Sequence, residues 1–149
     1  MTPDDPIVRA FLDRSLVARI ATRSAKGWPA LAPLWFVEDG GRLYVTTGAA
    51  TLAARNAAAD PAVSVLLDAE RGSPSAQVLR LHGRATVHAT LPSWRVLFAF
   101  ACKYYLSAGG LRCELANAGK WNLRRVYYAQ SEGVTIEIAL ERAELLRRP

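Results

Sequence analysis

Cysteine and histidine, the side chains that bind soft metals, are scarce in this sequence. There are two of each among 149 residues. Cys102 and Cys113 lack the spacing of a zinc site and have no matching histidine pair. On a single strand, His82 and His88 would lie about 20 Å apart at ~3.3 Å per residue. We therefore predict no metal site, and we expect Cys102 to lie on the buried side of a helix as a small hydrophobic residue.

No long hydrophobic run occurs either. The most apolar helical segment, residues 91–106, is shorter than the ~18 residues that mark a membrane span, and it contains Arg95 and Lys103. Asp4 and Asp5 stand where the basic part of a secretory leader would begin. Because cysteine is also scarce, we expect a cytoplasmic protein with reduced thiols and no membrane partner.

Acidic residues are outnumbered by basic residues, 13 to 19, and the net charge is +6. A basic protein raises the question of nucleic-acid binding. The basic residues are mostly single arginines spread along the chain, so we expect no nucleic-acid partner; an anionic small molecule also suits the charge. Hydrophobic residues make up 51% of the chain, and the length predicts a single globular domain over residues 1–149.

Hydrophobic periodicity predicts a mainly β protein. A helix is expected between the third and fourth strands, ending before Asp60-Pro61. The other predicted helices cover residues 5–14, 91–106 and 111–125. The six predicted strands cover residues 16–22, 30–39, 42–47, 62–68, 77–89 and 134–140. Strands joined by short turns, with few helices, are typical of a small antiparallel barrel.

The helix predicted over residues 91–106 is amphipathic. Residues at helical spacing define its apolar face: Trp94, Leu97, Phe98, Ala101, Tyr104 and Tyr105. We expect this helix to plug or flank one end of the barrel. No Ser-His-Asp order, Walker loop or paired-carboxylate signature stands out, so the catalytic residues stay unknown at this stage.

The stretch TTGAATLAARN, residues 46–56, runs from the end of a strand through a turn of small residues into a helix. A helix N-terminus carries unpaired N–H groups and a partial positive charge, both of which favour an anion. Thr46, Thr47 and Thr51 add hydroxyl donors, and Gly48 allows the backbone to approach closely. We therefore predict a phosphate site at this turn.

The order of segments over residues 10–90 resembles the pyridoxamine 5′-phosphate oxidase-like split-barrel superfamily, which includes FMN enzymes and deazaflavin-dependent reductases. The last strand, VTIEIAL, is also similar. The matching motifs are ARIAT, Gly27-x-Pro29, Pro33 to Phe36, Asp39 to Gly48, Arg55-Asn56, Asp60-Pro61 and HGRA at residues 82–85.

This resemblance implies a six-stranded antiparallel split β-barrel with flanking helices, assembled as a homodimer with cofactor sites between the subunits. The flavin ring is expected against the strand of residues 30–39, and the phosphate is expected over the turn that begins at Thr46. Arg55 would supply charge and Asn56 would fix the helix. The implied cofactor-binding residues are Pro33, Leu34, Trp35, Phe36, Thr46, Thr47, Gly48, Thr51, Arg55, Asn56, Lys120 and Trp121.

One departure from the family pattern affects the phosphate site. Family members often carry basic residues at the positions of Thr51 and Ala53, and here Arg55 is the base that remains. Each lost charge-assisted contact removes roughly 1.5–3 kcal/mol, so two losses weaken phosphate binding by about two to four decades. A replacement cation could come from Lys120, or from Arg124 and Arg125 beside Trp121, in the same chain or in its partner.

Two functions remain open. The first is an oxidoreductase that uses FMN, or alternatively the deazaflavin coenzyme F420, on a small unsaturated or quinone-like molecule. In such an enzyme the cofactor performs the hydride transfer, which explains why no catalytic motif is needed. The alternative is a non-catalytic or haem-binding split-barrel protein that has lost the usual phosphate site. The aromatic pair Trp35 and Phe36 also fits an ordinary core.

Overall fold

The protein is described by a computed structural model over residues 1–68, 77–106 and 132–147. None of the helices in these ranges has the length and apolarity needed to cross a bilayer. The elements in chain order are α1 (Pro6–Arg14), β1 (Val17–Arg23), β2 (Pro29–Trp35), β3 (Val37–Asp39), β4 (Arg42–Gly48), α2 (Leu52–Ala59), β5 (Ala62–Asp68), β6 (Gln77–His88), α3 (Trp94–Phe100), a π-helical segment (Ala101–Tyr105) and β7 (Gly133–Arg147).

The strands form one antiparallel sheet in the order β2-β1-β5-β6-β7-β4-β3. β2 and β3 lie at opposite edges of this sheet, yet Phe36 alone separates them in the chain. The chain therefore passes from one edge to the other within a single residue, and the sheet has to curl to allow it. The result is the predicted mainly β split barrel with flanking helices.

The prediction of six strands is wrong by one, because the segment predicted as a strand over residues 30–39 breaks at Phe36. The Phe36 N–H donates to the Tyr104 hydroxyl at 2.9 Å, and the same hydroxyl lies 2.7 Å from the Phe36 carbonyl. The backbone of Phe36 is thereby satisfied by a side chain instead of by a neighbouring strand. The described part of the chain therefore has seven strands.

The barrel interior is filled by the inward-facing residues of the alternating strands. β5 shows this pattern well, since every second residue from Val63 to Leu67 is buried. The largest side chains with almost no exposure include Phe36, Ile20, Leu43, Leu67, Leu79, Leu81, Ile136 and Ile138. β7 extends to Arg147, beyond the predicted end at residue 140, and pairs with both β6 and β4.

The helix predicted over residues 91–106 differs in extent and in orientation. It begins at Trp94 and turns into π-helix at Ala101. Trp94 is 79% exposed and Phe98 60% exposed, so this part of the predicted apolar face does not pack on the barrel, whereas Tyr104 does. The buried residues are Val96 and Tyr104, which share a face with Phe100 at a spacing of four.

Cys102 is exposed, so the prediction that it is buried is wrong. It precedes the buried Tyr104 by two positions, and residues two apart on a helix do not share a face. The predicted helix at 111–125 and Cys113 lie outside the described residues.

Candidate functional site

A cavity of about 470 Å³ lies between the outer face of the barrel and the helix that follows β6. Four residues predicted to bind a cofactor line it, and they come from two strands. Pro33, Leu34 and Trp35 belong to β2, and Thr46 belongs to β4. The opposite wall is formed by Leu97, Phe100, Ala101 and Tyr105.

The walls of this cavity are mainly apolar and aromatic. Trp35 stacks on Tyr104 with ring centroids 4.6 Å apart and planes 5° from parallel. Tyr105 meets Trp35 edge-on, with centroids 6.3 Å apart. No charged side chain occurs among the described lining residues. A cavity of this size and character suits a planar, mostly apolar group.

Tyr104 fixes the aromatic wall to the barrel. Its hydroxyl accepts from the Phe36 N–H and lies within donating distance of the carbonyls of Phe36 and Leu16, at 2.7 and 2.8 Å. Lys103 reinforces the contact, because its Nζ donates to the Leu12 carbonyl at 3.1 Å and lies 3.7 Å above the centre of the Phe36 ring. The π-helical segment is therefore attached where β2 becomes β3.

The predicted phosphate turn overlaps the end of β4, because Thr46, Thr47 and Gly48 are the last residues of the strand and the turn leads from Gly48 to Thr51. Thr51 is the N-cap of α2, and its hydroxyl accepts from the Ala54 N–H at 3.3 Å and donates to the Gly48 carbonyl at 2.8 Å. Thr47 Oγ1 lies 3.3 Å from Thr51 Oγ1. Helix geometry gives no intrahelical acceptor to the N–H groups of Leu52 and Ala53, so these remain suited to an anion.

The residues predicted along α2 have different environments. Arg55 is exposed, and it makes no ion pair with any other described residue. Asn56 is buried, and its Nδ2 donates to Thr22 Oγ1 at 3.1 Å, so it joins the helix to β1. Ala53, where family members often carry a base, is 3% exposed and packs in the core.

Two further predictions concern residues away from the cavity lining. Phe36 has no exposed surface and belongs to the barrel core, so its side chain does not face the cavity. It nevertheless follows Trp35 directly in the chain, and the hydrogen bonds of its backbone to Tyr104 mark the end of β2. Lys120, Trp121, Arg124 and Arg125 lie outside the described residues.

Tyr44 lies two positions before Thr46, on the same outward side of β4. Burial raises the pKa of its phenol, and the nearby carboxylate of Glu137 raises the pKa further. The phenol therefore stays protonated well above neutral pH, as a neutral group beside the site.

Sequence reasoning missed the wall contributed by α3 and the π-helical segment. Leu97, Ala101 and Tyr105 were predicted as part of an apolar helix face with no role at the cofactor, and they line the cavity. The signal was the density of aromatic residues in FAFACKYY, residues 98–105. A periodicity argument cannot separate a cavity wall from a core face, since both are apolar.

A protein-family model described as pyridoxamine 5′-phosphate oxidase matches residues 5–140. Together with the split barrel and its outer cavity, this match defines the class of protein. The chain belongs to the pyridoxamine 5′-phosphate oxidase family, which confirms the resemblance seen in the sequence. No curated protein matches the chain significantly in sequence.

Several solved structures share the fold. A structure described as an F420 reductase is 19% identical with a TM-score of 0.59, and the alignment covers 91% of this chain and 94% of the other. The heme storage protein HutZ from Vibrio cholerae is 18% identical with a TM-score of 0.63, covering 99% and 95%. A putative pyridoxamine 5′-phosphate oxidase from Listeria innocua is 17% identical with a TM-score of 0.58, covering 94% and 95%.

Proposed function

We propose that the protein is an oxidoreductase that binds a flavin, FMN or alternatively the deazaflavin coenzyme F420, with the ring in the outer cavity. The observation that carries this proposal is the convergence of Pro33, Leu34, Trp35 and Thr46 on one cavity. The sequence pattern predicts these same residues as ring and phosphate contacts, although they belong to two separate strands. The substrate would be a small unsaturated or quinone-like molecule.

The chemistry of the cavity walls favours the proposal of a flavin ring. A flavin is planar, and rings of this kind bind well between aromatic side chains. Trp35 is held in position by Tyr104 on one of its faces, so it is pre-organised for contact with a ligand. When bound, the cofactor would supply the hydride chemistry, while these residues would orient it and exclude water.

The turn after β4 supports a phosphate at the end of the same site. The N–H groups of Leu52 and Ala53 and the positive end of α2 favour an anion there. Arg55 adds a charge that no described acidic residue neutralises. The Thr51 hydroxyl already donates to the Gly48 carbonyl, so its main contribution is to hold the turn in shape. A further cation would come from Lys120, Arg124 or Arg125, with Trp121 closing the pocket.

We further propose that the cofactor site is completed in a homodimer. β2 is an edge strand, and its outward row includes Leu31, 64% exposed, and Trp35, 44% exposed. An exposed apolar edge strand is a site of association. Because Trp35 belongs both to this row and to the cavity, a second subunit on β2 would also cover the ligand.

The alternative function is haem binding or ligand carriage without turnover. The observation that favours it is the absence of a base at Ala53, a position that is buried here. Among the described residues that line the cavity, Tyr105 has a side chain of a type that ligates haem iron.

Titration of the purified full chain with FMN, F420 and haem separates these functions. Flavin fluorescence, F420 fluorescence and the haem Soret band report the three ligands independently. Saturable binding of FMN or F420 with one site per chain supports the oxidoreductase. Saturable binding of haem alone supports the alternative, and failure of FMN and F420 to bind refutes the first proposal.

A further inference from the structure

A second groove, of about 360 Å³, lies on the outer face of the sheet over β1, β5 and β6. It shares no lining residue with the proposed cofactor cavity. Ser64 and His82 line it side by side, because they are cross-strand partners in the pairing of β5 with β6. The groove therefore contains a hydroxyl and an imidazole that the proposed flavin chemistry does not use.

The backbone at this groove has a special geometry. The pairing of β6 with β7 shifts register between His82 and Gly83, which leaves Glu141 as the extra residue on β7. A Cβ at Gly83 would lie 2.4 Å from the Ala139 carbonyl oxygen, so the position requires glycine. Bulges of this kind are common next to active sites, because they redirect a side chain.

Three side chains lie in a row here: Ser64, His82 and Glu144. His82 Nδ1 lies 3.1 Å from Ser64 Oγ. On the other side of the ring, His82 Nε2 is buried, has no hydrogen-bond partner among the residues that the structure describes, and lies 3.9 Å from Glu144 Oε1. Arg80 and Arg142 both contact the Glu144 carboxylate and keep it in place.

This arrangement selects one tautomer of the imidazole. A buried Nε2 facing a carboxylate is stabilised when it carries the proton, because the N–H dipole then points at the negative charge. Nδ1 is left with a lone pair, and it can accept the proton of the Ser64 hydroxyl. A nucleophile, a base and a third group that orients the base are the elements of an activated serine.

We propose that Ser64 is an acyl-accepting nucleophile, with His82 as its base and Glu144 as a positioning residue, and that the substrate class is small activated esters. Ser64 Oγ forms a bond to the acyl carbon while its proton passes to His82 Nδ1. The bond from the acyl carbon to the alcohol oxygen breaks, and the alcohol leaves with that proton. Water then attacks the acyl-serine, gives a proton to Nδ1, and releases the carboxylic acid as Ser64 regains its proton.

The sheet limits which acyl donors can react. Ser64 pairs with Ala21 of β1 on one side and with His82 of β6 on the other, so its backbone is engaged in the sheet and offers no oxyanion hole. Arg23 also lines the groove, but its guanidinium already donates to the Asp60 carboxylate, so it supplies no unpaired cation to a developing oxyanion. Without backbone donors, acyl transfer is slower by about 10²–10³-fold, so esters with good leaving groups should react and amides should not.

Acylation with p-nitrophenyl acetate tests this proposal. The full chain should release one equivalent of nitrophenolate in a burst, and peptide mass mapping should place one acetyl group on Ser64. Ser64→Ala should abolish the burst, and His82→Gln should slow it at least tenfold.

His88→Gln is the matched control, because His88 lies on the same strand and contacts a different carboxylate, that of Glu137. The burst of this control should equal that of the unmodified protein. Acetylation confined to lysines, or an equal burst in His82→Gln, overturns the proposal.

The tautomer of His82 gives a second, independent readout. The chain has two histidines, so long-range ¹H–¹⁵N correlation spectra of His88→Gln report His82 alone. We expect the Nε2–H form, and we expect Glu144→Gln in the same background to lose this preference while the protein remains folded. A neutral Nδ1–H form before substitution refutes the role of His82 as the acceptor of the Ser64 proton.

Discussion

Tyr104 is the residue that joins the cavity wall to the barrel. Its hydroxyl is the hydrogen-bond partner that a neighbouring strand would otherwise provide for the Phe36 backbone, and its ring stacks on Trp35. Tyr104→Phe keeps the stacking and leaves the buried Phe36 N–H without a partner, so we expect a loss of about 1–3 kcal/mol in the free energy of unfolding. Urea unfolding measures the change.

Tyr104→Leu is the companion variant, because it removes both the hydroxyl and the ring contact. It should destabilise the protein more than Tyr104→Phe. Equal stability of Tyr104→Phe and the unmodified protein would show that the hydroxyl does not satisfy the strand break.

Asp60 should give the protein a pH-dependent stability. The hydrogen bonds from Arg23 lower the pKa of this carboxyl, and the bond from the Ala62 N–H lowers the pKa further. The folded protein therefore takes up the proton at lower pH than the unfolded chain does. The resulting stabilisation is present above the pKa of the unfolded carboxyl and is lost as the pH falls through the folded pKa.

Asp60→Asn should be less stable than the unmodified protein at pH 7, and the difference should shrink at an acidic pH below the lowered pKa of the folded carboxyl. Asparagine retains an oxygen for the Ala62 N–H, so the comparison isolates the ionised pair with Arg23. Unfolding free energies at the two pH values measure this. A difference that does not shrink in acid would show that the charge of Asp60 is not what stabilises the fold.

At the scale of elements, helix α2 combines a structural face with a face available to a ligand. Its buried side contains Ala53 and Asn56, while Arg55 is exposed. Arg55→Ala should therefore leave the unfolding free energy nearly unchanged and weaken FMN or F420 binding roughly tenfold to a hundredfold, as expected for the loss of one charged hydrogen bond. Fluorescence titration gives the two affinities.

Arg14→Ala is the matched control for Arg55→Ala, since Arg14 is also an exposed arginine on a helix but lies on α1. Its affinity for the cofactor should equal that of the unmodified protein. If the two variants bind equally well, Arg55 does not contact the phosphate.

The strands could be read from the sequence more accurately than the helix that shapes the site. β5 was predicted with its observed bounds, because alternation and Asp60-Pro61 define it locally. The break at Phe36 depends on Tyr104, which lies 68 residues away, and no local pattern contains that information. The exposure of Trp94 and Phe98 likewise depends on which face of the helix the barrel contacts, and a local apolar pattern does not contain that information.

The cavity illustrates the same limit. Its β2 and β4 walls consist of residues that the motifs had singled out, whereas Leu97 and Ala101 were predicted as part of an apolar helix face, which has the same pattern in a core and in a cavity wall. The buried positions of Phe36 and Asn56 also came from tertiary packing, which a single sequence does not display.

At the scale of the whole molecule, the exposed row on β2 predicts self-association. We expect a dimer of the 16.2 kDa chain by light scattering. Leu31→Lys should shift it toward monomer, because it places a charge in the apolar interface. Ile7→Lys, at an apolar residue of α1 that is 47% exposed, should remain dimeric. A monomer before substitution, or a dimer insensitive to Leu31→Lys, would refute the proposed interface.

Cofactor binding by a protein whose outer cavity has been filled is the most direct test of the proposed site. Ala101 is a small residue in the cavity wall, so Ala101→Phe should occupy the space intended for the ring without altering the turn at Thr51. Equilibrium dialysis should show that the unmodified protein retains FMN or F420 and that Ala101→Phe loses at least tenfold in affinity. Ala25→Phe, in the exposed turn before β2, should bind normally. Equal retention by Ala101→Phe and the unmodified protein would mean that the ring binds elsewhere.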